Sequence, residues 1–99
     1  MAQVTRVLIG HFEPAKADNV AKLVADTIRP WTAAMKTLDG NVAAYGGVDR
    51  TRNVVVAVSI WASEETAKQV DSSQAVIQIA QRFVSEGIRF DPPIIAVGA

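Results

Sequence analysis

The sequence predicts an α+β fold: a four-stranded antiparallel sheet with helices on one face. Three observations predict it. Apolar segments of strand length stand near both ends and in the middle of the chain. Helical stretches with apolar residues three and four apart separate them. The turn "VDRTRN" between the two middle strands is short enough to make them antiparallel neighbours. The resulting order, β-α-β-β-α-β, is that of a ferredoxin-like plait. Its 99 residues are read as a single domain over 1–99.

The first strand is "QVTRVLIGHF", residues 3–12. Thr5, Val7, Ile9 and His11 share one face, and Arg6, Leu8, Gly10 and Phe12 the other. Pro14 suits a first helical position, where its missing N–H is not needed. Ala15–Leu38 is helical by period: Val20, Val24, Ile28, Trp31, Met35 and Leu38 trace one stripe. Pro30 should kink that helix or split it into two abutting pieces. Gly40 is placed to end it in a left-handed conformation.

Asn41–Val48 is a second, weaker strand, in which Gly46 and Gly47 suggest a bulge or a close backbone approach. The third strand lies in "NVVVAVSIWAS", residues 53–63. Ser63 is a good N-cap for a short helix, with Glu64 and Glu65 in its first turn. Asp71–Ser73 offers a second cap, and Gln74 follows Asp71 at capping-box spacing. Val76, Ile77, Ala80, Phe83 and Val84 form the stripe of the helix that Gly87 closes. Asp91–Pro93 breaks the chain before a fourth strand at Ile94–Val97.

The third strand is apolar on both sides. Val54, Val56, Val58 and Ile60 fill one face; Val55, Ala57, Ser59 and Trp61 fill the other, where only Ser59 is polar. Helices can cover just one face of such a sheet. An uncovered apolar face is unusual on a monomer. A homodimer packed through the helix-free sheet face is therefore expected. Ten basic and ten acidic residues leave no net charge to oppose self-association.

That balance lacks the basic footprint a nucleic-acid binder needs. Cysteine is absent, which removes disulfides and thiolate chemistry and fits a cytoplasmic location. The opening residues lack the pattern of a signal peptide, and no apolar run approaches the ~20 residues of a membrane helix. One histidine, no cysteine and no acidic pair at ligand spacing leave no metal site to expect.

Four side chains are candidates for chemistry. His11, the sole histidine, is placed as a general base or substrate-orienting donor. Its structural alternative is a strand-end residue bonded to a backbone carbonyl. Tyr45 offers a hydroxyl to a bound carbonyl, or simply reaches a rim. Trp61 offers a stacking surface, although its size equally suits a core anchor. Ser59 offers a hydrogen bond to a ligand, a water or nearby backbone. Trp31 and Met35 read as core. Arg6 reads as a strand-end side chain snorkelling to water.

The element order and "SIWASEETAKQVDSS" after the third strand together resemble the antibiotic biosynthesis monooxygenase-like domains of the dimeric α+β barrel superfamily. The resemblance spans nearly the whole chain. It implies two sheets closing a barrel, a pocket in each half, and monooxygenation of small phenol- or quinol-type aromatics without a cofactor. Only Trp61 matches a family pocket residue directly. The haem-degrading members carry a Trp and a His after the third strand; Ala62 to Ile88 contains neither, so haem degradation is not expected. Two alternatives stay open: a non-catalytic small-molecule binder, and an isomerase or dehydratase of the same superfamily.

Overall fold

The structure is a computed structural model that describes residues 2–98. β1 (Val4–His11) leads through a 3-10 turn at Pro14–Lys16 into α1 (Ala17–Lys36). β2 (Asn41–Asp49) and β3 (Val54–Trp61) form a hairpin, followed by the short α2 (Glu64–Ala67) and a 3-10 segment at Lys68–Ser72. α3 (Gln74–Ser85), β4 (Arg89–Phe90) and β5 (Ile94–Val97) complete the chain. The sheet is antiparallel, in the order β2-β3-β1 with both β4 and β5 pairing β1.

The expected plait is therefore present, with five strands rather than four. The difference lies at the edge. Asp91, Pro92 and Pro93 divide that strand, so β4 pairs Gly10 and His11 while β5 pairs Val4–Val7. Proline has no N–H for the ladder, which explains the break.

α1 is one helix, not two. Pro30 lies within it, on its exposed side. The carbonyl that loses its partner there belongs to Asp26, also exposed, and water can satisfy it. Gly40 is left-handed, at φ +80°, but it does not cap the helix: α1 ends at Lys36 with Thr37 as its C-cap, and Gly40 turns the chain directly into β2. Ser63 caps α2 in a reciprocal box with Thr66. Ser73, not Asp71, caps α3, by accepting from the Val76 N–H. Asp71 instead turns towards β1.

The irregularity in β2 also moves. The ladder runs unbroken from Ala43 to Asp49 and shifts between Asn41 and Ala43. Gly46 serves the close approach: a Cβ there would stand 3.0 Å from the Ile28 Cδ1. α1 can therefore settle onto β2.

Register assigns the faces. Val55, Ala57, Ser59 and Trp61 point towards the helices, opposite Gly10, Leu8, Arg6 and Val4 of β1. The helix side holds two separate core clusters. One gathers Val4, Met35, Trp61, Ala67, Val70 and Val76. The other gathers Phe12, Val20, Leu23, Val55, Phe83 and Ile88. The middle of the sheet belongs to neither.

Among the described residues no helix covers the opposite face. Val7, Ile9, Val56, Val58 and Ile60 lie along its centre, only half-buried, and Tyr45 is 62% exposed beside them. No helix among the described residues is long and apolar enough to cross a membrane.

Candidate functional site

Between the two core clusters lies a cavity of about 270 Å³. Leu8 and Ala57, cross-strand partners, contribute its floor. Val24, Ile28 and Trp31 of α1 line one side, and Ile77, Ala80 and Phe83 of α3 the other. The gap has a local cause. Ala57 is too small to reach the helices, and its neighbours Arg6 and Ser59 bring polar ends where the clusters bring aliphatic bulk.

Four polar side chains line this apolar space: Arg6, Thr27, Ser59 and Asp71. Arg6 is only 9% exposed. Its guanidinium donates to Asp71 Oδ1 at 3.1 Å, while the Asp71 side chain itself is 69% exposed. Guanidinium carries five N–H donors, so this contact leaves Arg6 with unused capacity. No polar side-chain atom among the described residues is both fully buried and unbonded, so its remaining nitrogens keep access to space. The Thr27 hydroxyl donates to the Leu23 carbonyl at 2.7 Å and is committed to its helix. Ser59 is 2% exposed and accepts from the Trp61 indole N–H at 2.9 Å.

The four sequence candidates do not converge. Ser59 lines the cavity, and Trp61 is fully buried behind it, where it anchors a core cluster and holds Ser59. Its ring does not border the cavity. His11 and Tyr45 lie on the helix-free face. His11 Nε2 is 2.7 Å from Asp91 Oδ2, so its partner is a carboxylate rather than the backbone carbonyl considered above. Two further expectations change. Trp31 lines the cavity as well as packing against a core cluster. Arg6 points inward, not out to water. Alternation groups Arg6 with Leu8, Gly10 and Phe12, and the fold shows that group to lie on the side that the helices cover. Among the described residues no three His, Asp or Glu side chains gather as a metal site.

No protein-family model and no curated protein matches the chain. Solved structures do. SnoaB, a cofactor-independent oxygenase from Streptomyces nogalater, superposes with a TM-score of 0.64 at 18% identity, over 95% of this chain and 90% of that one. A candidate antibiotic biosynthesis monooxygenase from Chloroflexus aurantiacus gives 0.61 at 13% identity, over 98% and 93%. The chain has the antibiotic biosynthesis monooxygenase-like fold. A conserved Bacteroides thetaiotaomicron protein of unknown function, suggested to be an oxidoreductase, gives 0.71 at 11% identity over 97% of both chains. Identities this low carry the fold alone and leave the chemistry to the residues of the cavity.

Proposed function

We propose that the protein is a cofactor-independent oxygenase acting on a small hydrophobic aromatic of the phenol or quinol type. The observation that carries this reading is the apolar cavity with one buried cation in its wall. A phenol entering it would place its ring among Trp31, Phe83 and Leu8 and its oxygen towards Arg6. Asp71, beside Arg6, is the carboxylate available to accept the phenolic proton. Arg6 would hold the resulting phenolate, whose electron-rich ring reacts with dioxygen. The stoichiometry closes without another reductant: phenol plus O2 gives quinone plus water, with one oxygen atom entering the ring and the substrate supplying every electron.

Oxygen uptake with a panel of phenols and naphthols tests this reading. Substrate-dependent uptake that falls by roughly 100-fold in Arg6→Ala is expected, the scale of one lost charged stabiliser of the reacting anion. No uptake with any member would overturn it. A second reading is a binding module without catalysis. What favours it is the cavity's short titratable inventory, Arg6 and Asp71 alone among the described residues. Unchanged ligand after long incubation with a tightly binding protein would establish that reading. An isomerase or dehydratase using His11 has no comparable support, since that imidazole stands on the other side of the sheet from the cavity.

The partner of the helix-free face belongs to the same proposal. Its apolar centre and the neutral overall charge support a homodimer packed sheet to sheet. On that arrangement each cavity stays within one subunit, between its own sheet and helices.

A further inference from the structure

We propose that Arg6 and Ser59 form a donor pair selecting a planar aromatic ligand of about two fused rings with an anionic oxygen, and that Trp61 is the positioning residue for Ser59. The inference rests on the cavity identified above, and it names the ligand class the cavity takes.

Arg6 and Ser59 are directly opposite each other on β1 and β3. Side chains at such positions leave the sheet with Cβ atoms roughly 5 Å apart. Both residues are almost fully buried, at 9% and 2% exposed, and both line the cavity. The Trp61 N–H can only donate, and it donates to Ser59 Oγ. Ser59 is thereby fixed as acceptor in that bond, and its own proton must point elsewhere. No acceptor for that proton exists among the described hydrogen bonds. Among the described residues Arg6 has no side-chain acceptor besides Asp71.

The polar wall is therefore made of donors. Thr27 offers none, because its proton is held by the Leu23 carbonyl. The single carboxylate, Asp71, lies at the solvent-exposed rim. A ligand group that satisfies both unused donors must be an acceptor. A charged oxygen gains most, because hydrogen bonds between ionised partners are about twice as strong as neutral ones.

Volume sets the ring count. An apolar cavity of about 150 Å³ holds one benzene ring. The cavity here, about 270 Å³, is less than double that size. Two fused rings with one oxyanion substituent match that volume more closely than one ring or three.

The test is calorimetric titration under nitrogen, so that binding is read apart from any reaction with oxygen. The probes are benzoate, 2-naphthoate, anthracene-2-carboxylate and uncharged naphthalene. Wild-type protein is expected to bind 2-naphthoate most tightly, by roughly tenfold over naphthalene. Ser59→Ala should weaken 2-naphthoate about threefold to tenfold while leaving naphthalene unchanged. Trp61→Phe should lose the same anion preference, a change that mere loss of packing would not produce. Arg6→Gln should abolish the preference, and Arg6→Lys should restore part of it. Equal wild-type affinity for naphthalene and 2-naphthoate would overturn the proposal, and it needs no variant. Tighter binding of the three-ring acid would overturn the size assignment. Binding as expected with no oxygen uptake would sink the oxygenase reading alone.

Discussion

Ser59 and Trp61 are coupled by one buried hydrogen bond, and that makes their substitutions non-additive. Ser59→Ala leaves the Trp61 N–H, on a fully buried ring, without its acceptor. The expected cost is about 1–3 kcal/mol in urea unfolding. Adding Trp61→Phe removes the stranded donor, so the double variant should cost about 1 kcal/mol less than the sum of the singles. Strict additivity would show that the bond does not form in solution. Residue-level legibility was uneven for related reasons. Sequence alternation put Ser59 and Trp61 on the same face, but only the fold shows one holding the other. Arg6 read as a snorkelling side chain because nothing in its neighbours says which face the helices cover. His11 and Tyr45 drew attention by residue type, and their strand positions turn them away from the cavity.

At the scale of elements, the β2–β3 hairpin carries a measurable charge. The Asp49 carboxyl lies below the usual carboxylate range, held first by the Arg52 side chain and then by backbone N–H groups of Arg52 and Thr51. The sign follows directly. A lowered folded-state value means the ionised carboxylate favours the closed turn. That contribution is complete above the unfolded carboxylate value of about 4 and disappears as pH falls through the lower folded one. The amide shifts of Thr51 and Arg52 should therefore titrate with a midpoint below that of an unfolded aspartate. A midpoint at or above about 4 would contradict this. Most elements were readable in advance because their signals are local: the 3–4 stripe of α1, the Ser63 cap, the polar hairpin turn. β4 was not, since two residues cannot display a period. Pro30 left open whether α1 is one helix or two, because its cost depends on whether the orphaned carbonyl meets water, which is decided by packing.

For the whole molecule, the decisive quantity is which side of the sheet faces what. Both sides of β3 are apolar, so pattern alone could not assign the helix-covered one. The structure assigns Val55, Ala57, Ser59 and Trp61 to the helices and leaves Val56 and Val58 uncovered. If two copies meet through the uncovered side, Val58→Lys places a charge in the shared interior. Sedimentation velocity should then show the wild type as a dimer and Val58→Lys as a monomer. Ala57→Leu, pointing the other way, should keep the assembly while filling the cavity. A wild-type monomer at micromolar concentration would end the dimer proposal and leave the cavity intact. The cavity's own test is a crystal structure of the protein with bound 2-naphthoate. The expected result is a carboxylate within hydrogen-bond distance of both the Arg6 guanidinium and Ser59 Oγ, with the rings between α1 and α3. A ligand seated instead on the helix-free face, beside Tyr45 and His11, would contradict it.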